Sequence, residues 1–266
     1  MRISDYRIYF FYFLQFIKSR AEYKVDFIFG LIANVLVSLF GLLFILLLID
    51  GEQITSIGEW SRNEVLFIYG YSMLAFSLFN MVAQNLYRFG DKYIIEGQFD
   101  RVLLRPLGSI GQVIFESFNL DALGTFALGI FILFKSSSAL QIDFFASDYL
   151  WLAISVSCGA IILLSVFVTL ASFSFYFEDR LGIGAPVYSL ITFGRYPTPI
   201  FNKTLQMILS FIIPFAFVAF YPATHFLFKE GFHYWCYSTP LVALVSVTIA
   251  GIAWKAGVYR YSSTGS

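Results

Sequence analysis

The sequence predicts an all-α integral membrane protein with six transmembrane helices. Of its 266 residues, 59% are hydrophobic and only 13% are charged, whereas an average soluble domain carries about 25% charged residues. Long apolar runs also recur along the chain, and a helix needs about 20 such residues to cross the roughly 30 Å hydrocarbon layer of a bilayer. We therefore interpret residues 1–266 as a single transmembrane domain.

The spans follow from these runs in chain order. Five runs are uncharged and long enough, namely 27–49, 65–86, 149–177, 205–228 and 237–254.

A sixth run, 113–134, is apolar except for Glu116 and Asp121 near its start. We expect this run to form the third span, because negative charge near a helix N-terminus complements the helix dipole. The alternative is that the two carboxylates handle a substrate or protons, since charge inside a membrane is costly and usually functional.

Two further segments are apolar without being assigned as spans. Residues 1–26 place apolar side chains at spacings of three and four with cationic side chains among them, which indicates an amphipathic helix in the headgroup layer. The alternative is an extension of the first span, and we expect no cleaved leader because the first apolar run is too long. Residues 181–204 contain three prolines and Arg195, so we expect a broken helix at the cytoplasmic face.

The positive charges predict the orientation, since Lys-rich and Arg-rich loops stay in the cytoplasm. With six spans and a cytoplasmic N-terminus, only Arg62, Lys135 and Lys229 of the 17 Lys and Arg residues fall outside. The other fourteen fall inside, so we expect a multi-pass protein of the cell (inner or plasma) membrane, in contact with its lipids, with both termini cytoplasmic.

Several function classes lack their sequence signatures. Lys plus Arg and Asp plus Glu both number 17 and no basic run is interleaved with aromatic residues, so nucleic acid is not an expected partner. The sequence has no G-x-x-x-x-G-K-[ST], no H-E-x-x-H and no G-x-S-x-G, so we expect neither an enzyme nor a nucleotide, zinc or other metal site in this chain. The two cysteines, Cys158 and Cys236, are interpreted as small apolar side chains.

Polar and proline residues within spans suggest a pathway or a dimer interface. Asn80 and Gln84 lie one turn apart near the end of the second span, so that face meets another helix or an aqueous path. Pro214 and Pro222 in the fifth span free backbone carbonyls and permit a kink, which serves either gating or helix packing.

A polar stretch between the second and third spans, residues 96–108, reads EGQFDRVLLRPLG. Gly97 permits a turn, residues 98–105 are long enough for two helical turns, and Pro106 stops them. One predicted helical face carries Phe99, Val102 and Leu103, while three charged side chains flank that face: Asp100, Arg101 and Arg105. The alternatives are an ordinary capped loop and a helix that inserts its apolar face into a partner.

This stretch also carries a family resemblance. Together with GRYPTPIF before the fifth span, FIIPFAFVAFYPATHFL within it and YRYSSTGS at the end, it resembles the ABC-2 type permeases of ATP-binding cassette exporters. The most specific element is 97–106, which fits the pattern G-x-[LF]-D-x-x-L-x-[RK]-P. The end STGS departs from the small-residue run ending in two glycines that is typical of the family.

The resemblance implies an exporter permease that forms half of a transmembrane pathway. Such a permease pairs with a second copy or a related permease and uses cytoplasmic ATPase subunits, which bind the ATP and magnesium, so no cofactor is expected in this chain. It also implies that 97–106 is the coupling helix that docks on the ATPase. Two alternatives remain: a membrane scaffold or sensor with no ATPase, and an ion-coupled transporter, which is expected to show inverted repeats and charges near the bilayer midplane.

Overall fold

A computed structural model describes residues 22–50, 56–57, 59–177, 184–229 and 231–263, together with residues 11, 14–15 and 17–18. The predicted amphipathic helix over 1–26 lies mostly outside the described residues.

The described chain is built almost entirely from helices. In order they are α1 (Lys24–Asp50), α2 (Arg62–Val82), α3 (Gln84–Tyr87), a π-helix (Gly90–Ile95), α4 (Phe99–Leu103), α5 (Ser109–Phe115), α6 (Ala122–Ala139), α7 (Ala146–Phe177), α8 (Gly184–Leu190), two 3-10 helices (Ile191–Arg195 and Thr198–Ile200), α9 (Lys203–Met207), a second π-helix (Ile208–Ile212), a third 3-10 helix (Phe215–Phe217), α10 (Phe220–Thr224), α11 (His233–Cys236) and α12 (Thr239–Arg260). Two short antiparallel strands, β1 (Ser56–Ile57) and β2 (Trp60–Ser61), form a hairpin between α1 and α2.

Five stretches of the described chain are helical, long and apolar enough to cross a membrane, and a bent helix pair makes up to six. The first, second, fourth and sixth predicted spans correspond to α1, α2, α7 and α12. An all-α membrane protein is therefore confirmed. α2 is the central helix, since 72% of its most apolar window is buried, whereas none of the corresponding window of α1 is buried.

The third span begins later than predicted. Helix α5 ends at Phe115 and α6 begins only at Ala122, so Glu116 lies in the connection before the span. Asp121 stands at the N-cap position of α6, where its charge complements the helix dipole. The expectation that Glu116 lies in the first turns of this span is wrong. Its carboxylate pairs with Lys92 and Arg101, which both lie outside the span.

Helices α2 and α6 approach closely at two glycines. A Cβ atom on Gly70 would lie 2.9 Å from the backbone nitrogen of Leu133, and one on Gly129 would lie 2.9 Å from the Cβ of Met73. Small residues let the two backbones approach closely. Close approach increases the van der Waals contact between the helices, on which helix association in a membrane depends. Beyond them, α2 packs on α7, and α7 packs along α12.

The fifth span is broken where the sequence predicted only a kink. The segments Lys203–Ile212 and Phe215–Thr224 meet at an angle of 75°, with Ile213 and Pro214 between them. Pro214 cannot donate a backbone hydrogen bond, so it marks the break. Pro222 lies in the first turn of α10, where a backbone N–H has no helical partner in any case.

Residues 184–200 form short helical pieces rather than a membrane span, as predicted. They enter the bundle, however, instead of lying at its cytoplasmic face. Tyr188 contacts Tyr87 at the end of α3, with ring centroids 5.3 Å apart. Arg195 reaches Phe76, well inside α2. The location expected for this segment is wrong because its buried side chains, Val187 and Ile191, pack into the core.

Polar contacts join three elements at the end of the bundle that carries the β-hairpin. His225 lies between Asp148 and Tyr237, with its Nε2 atom 3.0 Å from the Asp148 carboxylate and its Nδ1 atom 2.8 Å from the Tyr237 hydroxyl. These contacts link the start of α7, the chain after α10 and the start of the last span. A capping box between Ser61 and Glu64 begins α2 at the same end.

Candidate functional site

At the opposite end of the bundle, residues 84–116 form a folded connection that we call the elbow. It contains α3, the first π-helix, α4 and α5. Gly97 has a φ of +69°, a left-handed conformation that strongly favours glycine. The turn predicted at Gly97 is present, and α4 covers Phe99–Leu103, which is shorter than the two turns expected over 98–105.

An aromatic cluster anchors α4 to the bundle. The ring of Phe99 is fully buried, and its centroid lies 5.0 Å from that of Phe175 on α7 and 5.0 Å from that of Tyr261. Phe89 and Trp254 complete the cluster, with centroids 5.9 and 6.1 Å from Phe99. Edge-to-face packing of this kind contributes about 0.5–1.5 kcal/mol per pair beyond the area buried.

The burial of Phe99 corrects the predicted helical face. The sequence grouped Phe99, Val102 and Leu103 as one face available to a partner, but Phe99 and Val102 are 0% and 2% exposed within their own chain. The apolar face of a short helix must be covered, and here the rings of α7 and α12 cover it. Phe99 is therefore not available to a partner in this conformation.

The C-terminal residues bind Asp100. The Tyr261 hydroxyl donates to Oδ1 of Asp100 at 3.0 Å, and the Ser263 hydroxyl donates to Oδ2 at 2.6 Å. Burial, followed by the bond to Asp100, raises the pKa of Tyr261 to about 12, so the phenol stays protonated and donates at neutral pH. Asp100 therefore ties α4 to the tail of the chain.

A second polar cluster centres on Glu116. Its carboxylate lies 2.7 Å from the Arg101 guanidinium and 3.8 Å from the Lys92 ammonium, and it accepts a hydrogen bond from the Tyr93 hydroxyl. Burial is the main cause that raises the pKa of Tyr93, and the hydrogen bond to Glu116 adds to it. Because these groups come from the π-helix, α4 and the end of α5, the cluster holds the elbow together.

One glutamine and one asparagine side chain donate hydrogen bonds to backbone carbonyls of the elbow. Gln112 is 3% exposed, and its Nε2 donates to the carbonyls of Val102 and Leu107, both at 3.0 Å. Asn85 donates to the Val113 carbonyl at 2.8 Å. Val102 and Val113 lie in the last turns of α4 and α5, where carbonyl groups lack helical partners, and Leu107 lies in the connection between these two helices.

The outer surface of the elbow carries three large aliphatic side chains. Leu104 is 86% exposed, Ile95 is 57% exposed and Leu103 is 46% exposed. Pro106 is exposed and follows the end of α4, and Arg105 beside it is half-buried. Adjacent large apolar side chains on a solvent-facing connection are typical of a binding site. The surface available to a partner is therefore Leu103 and Leu104 rather than Phe99.

The predicted pathway residues are not brought together. α2 ends at Val82 and α3 begins at Gln84, so Asn80 and Gln84 do not share one continuous helical face as predicted. Asn80 accepts a hydrogen bond from the Tyr87 hydroxyl at 2.8 Å, while Gln84 is exposed.

Pro214 and Pro222 lie in a different part of the fold, at the broken fifth span. Pro214 is half-buried beside the break, whereas Pro222 is buried within α10.

Sequence reasoning missed the residues that hold the elbow in place. Phe89, Trp254 and Tyr261 were not distinguished from the many other aromatic residues, and the sequence has 33 Phe and 17 Tyr. Leu104 was missed because the predicted apolar face included only Phe99, Val102 and Leu103. The signal that could have found the tail contact is the donor pair at Tyr261 and Ser263, which follows the last span closely.

Comparison with known proteins agrees with this architecture. Residues 33–265, most of the chain, match the family described as ABC-2 family transporter protein. Comparison with curated proteins and with solved structures gives no match. A match over this length, on a multi-pass helical membrane protein, means that the chain belongs to the ABC-2 transporter family and is an ABC-2 type permease.

Proposed function

We propose that the chain is the permease subunit of an ABC exporter and that its elbow docks on a separate ATPase subunit at the cytoplasmic face. The observation that carries this proposal is the exposed Leu103–Leu104 pair on a connection that the buried Phe99 ring anchors to the bundle. Membership of the ABC-2 family implies ATPase partners, and the elbow is a suitable place to receive one.

The rigidity of the elbow supports this role. A docking surface transmits force only if it moves together with the spans behind it. Phe99 joins α4 to α7 through Phe175 and to α12 through Trp254. The Tyr261–Asp100 bond adds a second link from the tail of the last span. Movement of an attached ATPase is therefore passed to two transmembrane helices at once.

The magnitude of the expected contact follows from burial. Fully burying a leucine side chain contributes about 1.5–3 kcal/mol, and Leu104 has most of its surface still available. Since 1.4 kcal/mol is about tenfold in affinity, losing this side chain should weaken docking by roughly 10- to 100-fold. Arg105 beside the pair is suited to charged contacts at the rim of such a site.

The orientation of the chain agrees with this proposal. The elbow, the start of α1 and the end of α12 all lie at one end of the bundle, since Gly30 of α1 packs on Asp121 and Trp254 of α12 bonds to Ser109 of the elbow. By the positive-inside rule this end is cytoplasmic. A second permease copy, or a related permease, completes the pathway, and the exposed outer face of α1 leaves room for such a neighbour or for lipid.

The test is purification of the tagged chain from its native membrane, followed by an assay of magnesium-dependent ATP hydrolysis. The wild-type chain is expected to copurify with this activity, and Leu104→Glu is expected to lose most of it while inserting normally. The matched control is an exposed leucine of α12, Leu241 (64% exposed). Because a charge on the surface of a membrane span is costly, both leucines are changed to alanine for this comparison, as Leu104→Ala and Leu241→Ala. A purified wild-type complex without ATP hydrolysis would favour a scaffold or sensor instead.

A further inference from the structure

An arginine lies near the middle of the bundle. Arg195 ends a 3-10 helix, and its guanidinium carbon lies 4.7 Å from the ring centroid of Phe76 and 5.8 Å from that of Tyr69. It lines a small cavity together with Ser72, which is at the centre of the 21-residue helix α2. At 1.5 Å per residue, Ser72 is about 15 Å from either end of that helix.

The charge of Arg195 is not matched by an acidic side chain in the described part of the chain. Ion pairs elsewhere in the described chain include those of Lys92, Arg101 and Lys229. The Nε atom of Arg195 is buried and has no hydrogen-bond partner among the described residues. Two aromatic rings offer cation–π attraction of about 0.5–2 kcal/mol, and the Tyr69 hydroxyl accepts a hydrogen bond from the guanidinium. These partners are neutral, so the guanidinium has no anion among the described residues.

The surroundings of Arg195 are apolar and lie at the break in the fifth span. Its cavity is also lined by Leu163 of α7 and by Phe215 and Val218 of the fifth span. Gly194 packs on the backbone of Phe215, since a Cβ atom on Gly194 would lie 3.1 Å from the Phe215 carbonyl oxygen. The cavity volume is about 10 Å³ in this conformation, which is at the lower limit for holding one water molecule. A larger group enters only if the elements that line this cavity separate.

We propose that this permease transports an anionic amphiphile and that Arg195 binds its headgroup, a carboxylate or a phosphate. This inference rests on the proposed function and deepens it by naming the substrate class. A guanidinium binds either anion through two parallel hydrogen bonds. Charged residues at this depth face a bundle interior or cavity and mark substrate pathways. The apolar walls suit the chain of the amphiphile, and the broken fifth span supplies one of these walls through Phe215 and Val218.

Direct binding tests the proposal without any ATPase, so its failure is distinct from failure of the proposed function. The purified chain in dodecyl maltoside is titrated with dodecyl phosphate, and calorimetry gives the Kd. We expect Arg195→Gln to raise the Kd about tenfold or more, because a hydrogen-bonded ion pair is lost. Arg260→Gln, at an exposed position outside the cavity, should leave the Kd unchanged. Dodecyltrimethylammonium should bind no better to wild type than to Arg195→Gln.

A second variant covers the case in which Arg195→Gln does not fold. Arg195→Lys keeps the charge and loses the planar fork, so it should bind dodecyl phosphate more weakly than wild type while retaining the preference for the anionic probe. Equal Kd values for dodecyl phosphate in wild type and in every folded Arg195 variant would overturn the proposal, as would equal affinity for both probes.

Two further titrations distinguish the sources of the anion. Inorganic phosphate alone should bind much more weakly than dodecyl phosphate, and equal affinity would overturn the amphiphilic substrate class. Phosphatidylglycerol at tenfold molar excess should not displace dodecyl phosphate. Displacement would assign the site to a structural membrane lipid and overturn the substrate assignment.

Discussion

Phe99→Ala provides a quantitative test of the elbow. The ring is fully buried and contacts four other aromatic side chains with centroids 5.0–6.1 Å away. Truncating a buried Phe to Ala typically costs about 3–5 kcal/mol, including the cavity that remains. If about 1.5 kcal/mol of this cost falls on the attachment of α4, the helix should open about 10-fold more often. If about 3 kcal/mol falls on it, the helix should open about 100-fold more often.

Hydrogen–deuterium exchange of the peptide covering 98–107 measures this opening in the purified chain. The amide of Leu104, which bonds to the Asp100 carbonyl at 3.2 Å, is the most direct reporter. Leu104→Ala is the matched control, because the side chain is exposed and such substitutions usually change stability by less than about 0.5 kcal/mol. Unchanged exchange in Phe99→Ala would show that the ring does not anchor α4, and the argument for a rigid elbow would fail.

Two further predictions concern the same end of the bundle. Gly257→Ala should lower the thermal unfolding midpoint of the chain in detergent, because the added methyl group meets the ring of Phe175. Gly251→Ala on the same helix should not lower the midpoint, because no atom lies within 4 Å of the added methyl group. Equal midpoints for the two variants would contradict the close packing of α12 on α7. Tyr261→Phe removes the hydrogen bond to Asp100, which is worth about 1 kcal/mol, and should raise hydrogen–deuterium exchange over 98–107 roughly fivefold. Tyr259→Phe should not raise it, because Tyr259 is 94% exposed. Equal exchange in both variants would show that the tail does not stabilise the elbow.

The sequence was sufficient for the long helices and insufficient for the contacts among them. Apolar length identifies α1, α2, α7 and α12 because crossing a bilayer imposes that length on any sequence. The break at Pro214 was visible only as a possible kink, since a proline removes one hydrogen bond but its neighbours decide the angle.

The elbow shows where local patterns stop being informative. A spacing of three and four correctly groups Phe99 with Val102, but it does not say whether the chain itself or a partner covers that face. The answer depends on Phe175 and Trp254, which lie more than 70 residues later in the chain. Likewise, the segment that contains Arg195 was predicted to be a broken helix at the cytoplasmic face, and only the packing of Ile191 and Gly194 carries it into the bundle.

The most direct test of the central claim is photocrosslinking from two positions of the elbow in the native membrane. A photoreactive amino acid at position 104 should form an adduct with a subunit that binds ATP, because Leu104 is on the exposed surface. The same group at position 99 should form adducts only within the chain, because Phe99 is enclosed by α7 and α12. An ATPase adduct from position 99 but none from position 104, in a complex that hydrolyses ATP, would contradict the account.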